Sequence, residues 1–516
     1  MRSRAHISAL PDDVILLIIS YVEVEDILSL RKTSKRLLGL SKLRWVWYDA
    51  MKRHVVQKGL PIPAASLDDL KALDAEHLEA RAVHAARFHD NWHSPHPVSK
   101  KTVEFSAVMY MDDALPEEGY GQSAVTHVSF LPGRNGKYLV TAVGRMLTCW
   151  EVPLGESEAY PVAEWIAARK IEQVVVNDDP KSDVVLAYVS SHPTSQGVVE
   201  CRALSFDNFH GKFTCRMELR AHRQVSTPLH VLHSDYLIFG DPMHVCYLAA
   251  PTMVKPLGKS SLAEVPDNMI LAVKPVNRYL LIVRQRTFEV IPAPTWRGVR
   301  APYHSLVAAS ASIELEVPAS SAVVVVRQVF APSEDELPNW PHEPVTVLSR
   351  SSDGGFDTMH QYDFLPNPKA KGEEDKKDDA LPVLDRLPCI FPSQYSVNIV
   401  PPSCCDLRVG PSGKGFWTET RNMVVRHAKN PARCLVGFEV GPADTENDAK
   451  EKERGKAVEP RASQVRKCQD VLYARRCNIH EILWKKYIIT ATALEDTVGR
   501  IAVGDVTGKV EVLDLA

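Results

Sequence analysis

The stretch VTHVSFLPGRNGKYLVTAVGRMLTCWEV, residues Val125 to Val152, decides how most of this chain folds. It reads as strand, turn, strand, tight turn, strand. Phe130 is followed by Pro132-Gly133, and the third strand ends at Trp150-Glu151. Short runs of this kind, punctuated by Gly, Pro, Asn and Asp, recur after Pro97, where helical periodicity disappears. The C-terminal GRIAVGDVTGKVEVLDL repeats the theme. Weaker copies of the inner hairpin stand at Tyr236–Leu248, Tyr279–Ile291 and Gly415–His427, each predicted as strand, short turn and strand.

Trp150-Glu151 occupies the place of the Trp-Asp dipeptide in a WD-type blade, and Leu513-Asp514 takes that place at the C-terminus. The repeats therefore resemble a degenerate WD-type β-propeller. The resemblance implies four-stranded sheets in a ring, within the usual 4–8 blades, and the length favours about seven with long inserted loops. A β-sandwich or a pair of smaller β domains is the other arrangement these hairpins fit.

The chain opens differently. Residues Leu10 to Trp47 read LPDDVILLIISYVEVEDILSLRKTSKRLLGLSKLRWVW. Pro11 leads into a helix, where its missing N–H costs nothing. Asp12 and Asp13 suit the positive end of that helix. The following run is apolar nearly all round, more than a surface helix needs, so something must cover its remaining sides. A second short helix is expected at Glu25–Leu30 and a third near Ser34. A unit this small leaves apolar area for a partner. The order Leu-Pro, acidic pair, apolar helix, Asp26-Ile27-Leu28, Ser34-Lys35-Arg36 and Trp47 resembles the F-box. That module docks a chain onto the Skp adaptor and, through it, a cullin. The resemblance implies that Leu10, Pro11, Val14, Ile18, Leu28, Leu30, Leu37 and Trp47 form or support the adaptor-binding surface. A signal peptide is excluded by the acidic pair before the apolar run and by VEVED after it. The run is also too short to span a bilayer.

Leu67 to Trp92 is rich in good helix formers and ends at Ser94-Pro95-His96-Pro97, where an extended chain is forced. We read it as a stiff connector. The organisation is then mainly β with an α-helical N-terminus: a three-helix F-box at 1–60, a helical connector at 61–97 and a β-propeller-like domain at 98–516. Two charged, apolar-poor segments near 366–386 and 441–467 are expected to be mobile loops. This arrangement, and the phrase GPSGKGFWTETRNMVV from Gly410, are similar to large F-box families of basidiomycete fungi.

The formal net charge of −3 gives no support to nucleic-acid binding. Ten scattered cysteines without a CxxC pair read as reduced thiols, which places the chain in the cytoplasm, the nucleus or both. No catalytic motif is present. GPSGKG lacks phosphate-loop spacing and reads as a strand turn. His89 and His93, which could share a helix face near His96, and the pair His230 and His233 each lack an obvious third ligand, so no metal and no cofactor are expected. Aligning the hairpins puts Arg145, Arg284, Arg286, Arg421 and Lys509 in the turns between second and third strands. Such turns share one rim, and a ring of cations there would suit an acidic or phosphorylated peptide. The functional expectation is a non-catalytic substrate receptor of a ubiquitin ligase, binding the Skp adaptor and a target protein, with no nucleic acid and no membrane. A scaffold that binds the adaptor without directing degradation is the alternative.

Overall fold

The computed structural model describes residues 10–62, 67–108, 123–155, 158–191, 198–207, 209–222, 226–257, 268–294, 311–327, 340–341, 343–353, 356–368, 387–392, 396–400, 405–425, 428–442, 463–476 and 489–516. Seven antiparallel sheets follow one another along the chain. Blades 1 to 6 span 125–166, 171–222, 226–256, 270–314, 321–400 and 405–476. Blade 7 combines 489–514 with a strand from before blade 1, Lys101–Ser106. The first strand of each blade adjoins the first strand of the next, and that of blade 7 adjoins that of blade 1, so the ring is closed. The expected propeller of about seven blades is what forms.

Closure rests on Lys101–Ser106 pairing with Lys509–Asp514, in a register from Lys101 opposite Asp514 to Ser106 opposite Lys509. A side-chain staple reinforces it. Arg500 of blade 7 is fully buried and donates to the carbonyls of Gly136 (2.9 Å), Val152 and Pro153 (2.9 Å), all in blade 1 turns. Within blade 1 the sequence reading holds: strands cover Val125–Phe130, Tyr138–Val143 and Met146–Glu151. Trp150 Nε1 donates to Thr141 Oγ1 at 2.9 Å, which fixes the third strand against the second. The register slips by a residue or more near the start of the first strand in six of the seven blades, as between Val125 and His127 or Ile489 and Ala491. Such bulges increase local twist where strands crowd the axis.

Three expectations are corrected. Gly415–His427 is no hairpin: Lys414–Val425 is one long strand paired with Ala428–Pro442. Thr418-Glu419-Thr420-Arg421-Asn422 contains no Gly or Pro to turn the chain, and its threonines favour extension. The charged segment before Lys467 is shorter than expected, because Ser463–Arg476 is the outer strand of blade 6. Residues 369–386 and 443–462, where mobile loops were expected, lie outside the described residues. Third, the last F-box helix is broken in two. Helices α1 (Asp12–Ile19), α2 (Val24–Leu30) and α3 (Lys35–Ser41) precede α4 (Arg44–Ala50), which runs into a π-helical turn at Met51–Val56. Ser34 caps α3 by accepting from Leu37 N. Trp47 Nε1 donates to Ser41 O at 2.7 Å across the break between α3 and α4. GPSGKG is a strand turn, as read, with Gly410 N donating to Lys414 O at 2.9 Å. The connector comprises α5 (Leu67–Ala72) and α6 (Ala75–His93).

Replacing Arg500 by Met leaves three carbonyls, those of Gly136 and Val152 buried and that of Pro153 partly so, without their donor. We expect a loss of about 3 kcal/mol or more, read as a lower thermal midpoint for the propeller, with the F-box helices unaffected in local hydrogen exchange.

Candidate partner-binding surfaces

Helix α1 divides into two faces. Ile15 and Ile19 are buried in the F-box core. Val14, Leu17, Ile18 and Tyr21 form an outward stripe at helical spacing, with Leu17 59% and Tyr21 71% exposed. Leu38, Leu43 and Trp45 on and between α3 and α4 are exposed too. Pro11 is exposed, while Leu10, Leu28 and Leu30 are half-buried against the core. Leu37 and Trp47 are buried, so they support the surface from behind. Sequence reading missed Leu17, Tyr21, Leu38, Leu43 and Trp45. In a run apolar on all sides, only the packing of α2 to α4 decides which residues face out.

The stripe is tied rigidly to the propeller by α6. Its first half places Leu78, Ala82 and Ala85 in the F-box core. Arg31, at the end of α2, makes a bidentate pair with Glu79 at 2.6 and 3.0 Å. Its second half places Phe88 and Trp92 in a different core, between blades 6 and 7, with Phe416, Leu435, Ile501, Val503 and Leu513. Gly499, at φ +68°, lets the ring of Phe88 approach: a Cβ there would lie 2.6 Å from it. Asn91 Nδ2 donates to Leu515 O at 2.6 Å, and His84 Nε2 meets Val498 O at 3.0 Å. At the end of the helix, His93 Nε2 lies 2.6 Å from Glu439 Oε2, and Lys414 Nζ lies 2.9 Å from Glu439 Oε1. Burial opposes ionisation of Glu439, yet the bond from His93 and the charge of Lys414 hold its carboxyl well below the usual range. The bond to Glu439 raises the pKa of His93, whereas burial lowers that of neighbouring His89 to about 4.

Helix α6 meets blade 7 at Val498 and Gly499, the turn between its first and second strands. In an antiparallel sheet the turn between second and third strands lies at the opposite end, so that rim faces away from the F-box. Arg145 sits there, exposed, in the turn of blade 1. Arg284 ends the second strand of blade 4 but is buried: it donates to Glu289 at 2.9 Å and Asn268 O at 3.1 Å and faces Asp241 at 3.3 Å. Arg286 is half-buried in the same turn, its backbone N donating to Asn268 Oδ1. Lys509 follows the blade 7 turn and pairs with Glu104 and Glu511. Arg421 lies within a strand, opposite Ala432, and not in a turn. The expected ring of free cations is thus not assembled on this rim from these residues.

The first strands of blades 1 and 6 carry two further polar groups, His127 and Arg408, that the sequence reading did not single out. Arg408 Nε donates to Thr492 Oγ1 at 3.5 Å. His127 bonds Ser129 Oγ at 2.9 Å, and burial, then the charge of Arg408, lowers its pKa to about 4. His230 bonds Gly240 O at 2.9 Å. Cys149, Cys201, Cys215, Cys246, Cys389 and Cys434 are free thiols, and among the described residues no group of three His, Cys, Asp or Glu side chains could hold a metal ion. No helix among them is long and apolar enough to cross a membrane.

The F-box domain family matches residues 7–49 of this chain. The chain therefore carries an F-box ahead of its seven-bladed propeller. A solved structure similar to it is the WD40 domain of SCAP from fission yeast, at 10% identity, TM-score 0.41, covering 76% of this chain and 82% of that one. No curated protein matches the chain.

Two outcomes are expected at the connector. Phe88→Ala should cost about 3–5 kcal/mol at the seam and, with the propeller still folded, expose the end of α6 to limited proteolysis. His93→Gln should destabilise the α6 junction more below pH 6.5 than above it. A raised folded pKa contributes stability that is complete below the unfolded value of about 6.5 and is lost as pH rises through the folded one. Thermal midpoints of wild type and variant, compared at acidic and alkaline pH, should converge toward the alkaline side.

Proposed function

We propose that this chain is the substrate-receptor subunit of a Skp–cullin–F-box ubiquitin ligase in the cytoplasm, the nucleus or both. The observation that carries this reading is the division of labour along one rigid axis. An apolar stripe on α1 is exposed at one end, and the propeller rim away from the F-box stands at the other, joined by a helix shared between both cores. Pro11, Val14, Leu17, Ile18 and Tyr21, with Leu38, Leu43 and Trp45, would lie against the adaptor. Leu10, Leu28, Leu30, Leu37 and Trp47 hold them in place. The propeller would capture the target on the rim away from the F-box. Bond making belongs to other subunits. This chain contributes proximity, raising the effective concentration of a target lysine near the charged ubiquitin carrier.

The test is co-purification with the Skp adaptor. Leu17→Asp/Ile18→Asp should abolish a stoichiometric complex while leaving the thermal midpoint close to wild type, because both residues are exposed. Trp47→Ala should lose the complex together with the F-box fold. Wild-type protein that fails to bind the adaptor refutes the proposal. Adaptor binding without ubiquitination of any captured protein would instead identify a scaffold.

A further inference from the structure

We propose that Arg53, which lies beyond the matched F-box residues 7–49, is a positioning residue for adaptor docking: through Tyr21 it sets the end of the α1 stripe that meets the adaptor. The inference rests on the receptor reading and adds a residue behind its adaptor surface. Arg53 sits in the π-helical turn Met51–Val56, where Gln57 N reaches back five residues to Lys52 O at 3.0 Å. A turn of this kind holds one residue more than an α-helical turn and recurs at functional positions. Met51 and Val55 anchor it in the F-box core. Asp49, one turn earlier on α4, holds the guanidinium by accepting from Arg53 Nε at 3.1 Å. From there the group reaches the end of α1. Arg53 Nη1 donates to Ser20 O at 3.4 Å, and Arg53 Cζ lies 5.2 Å from the centre of the Tyr21 ring.

Ser20 is the residue at which α1 ends. The last carbonyls of a helix lack intrahelical donors and carry its negative end, so a cation is favoured there. The last turn of α1 contains no basic residue of its own, and Arg53 supplies the charge from another element. Tyr21 follows directly and is the most exposed member of the stripe. A guanidinium against the ring limits the orientations the ring adopts before a partner arrives. The same stretch of chain also ties the far end of the connection between α1 and α2. Glu23, which precedes α2, accepts from Lys58 Nζ at 2.8 and 2.9 Å and faces His54 Nδ1 at 3.2 Å. Residues Ser20 to Glu23 are therefore clamped at both ends from 53–58, with the Tyr21 ring between the clamps. An aromatic anchor that is already held loses less freedom on binding, and that is the contribution assigned to Arg53.

The experiment measures the affinity of the full chain for purified Skp adaptor by titration calorimetry. It runs a double-mutant cycle of Arg53→Met and Tyr21→Ala, with the thermal midpoint recorded for every variant. Arg53→Met alone should weaken binding about tenfold. In the Tyr21→Ala background the same change should weaken it less than about twofold, because the ring through which Arg53 acts is gone. Lys52→Ser, an exposed position on the same turn, should bind as wild type does. A residue that merely stabilises the F-box would instead lower the thermal midpoint and weaken both backgrounds alike. If Arg53→Met lowers the midpoint markedly, Arg53→Lys, which keeps the charge and loses the planar fork, takes its place in the cycle. Unchanged affinity, or an equal loss in both backgrounds, overturns the inference. Wild-type chain that does not bind the adaptor refutes the receptor reading itself, whereas wild-type binding with an additive cycle refutes this inference alone.

Discussion

One helix belongs to two hydrophobic cores, and the geometry of the chain depends on it. The first half of α6 completes a F-box whose own helices are too short to bury their apolar faces unaided. The second half fills the seam between blades 6 and 7 with Phe88 and Trp92. Burying side chains of this size contributes about 1.5–3 kcal/mol each for a residue like Phe. That is enough to make detachment of either module a rare excursion. The polar ties at Asn91, His84 and His93 add direction to what burial alone leaves free to rotate. The result is a fixed distance and orientation between an uncovered apolar stripe and a distant rim.

The three cations that are buried among the described residues of the propeller each have acceptors. Arg500 uses backbone carbonyls, Arg284 uses two carboxylates and a carbonyl, and Lys414 uses Glu439 beneath the ring of Phe88. An uncompensated buried charge would cost several kcal/mol. Exposure is the alternative, as at Arg145 of blade 1.

Much of the fold was legible in the residues. Leu-Pro, the acidic pair and the apolar helix announced the N-terminal module, and the Gly-punctuated β runs announced blades in about the right number. What escaped depends on contacts between distant residues. VILLIISY is apolar on every side, so nothing in it says that Ile15 and Ile19 turn inward while Leu17 and Tyr21 face out. Arg284 sits at a strand end beside a turn, yet Asp241 and Glu289, from two blades, draw it inside. Arg421 was misplaced because Lys414–Val425 runs on past the length of an ordinary blade strand, with no glycine to mark it. The second core of α6 did leave a trace: small residues at Ala82 and Ala85 give way to Phe88 and Trp92 on the same stripe, a change of partner written as a change of side-chain size.

The strand that closes the ring has a consequence for synthesis. Lys101–Ser106 leaves the ribosome long before Lys509–Asp514, with roughly 400 residues between them. At 5–20 residues per second that is about 20–80 s during which the strand is an edge without its mate. The F-box can form early from local contacts, but the end of α6 has no seam to enter until blade 7 exists. A nascent chain therefore shows its adaptor-facing end before its far end is finished, and a truncated product would keep the first while lacking the second.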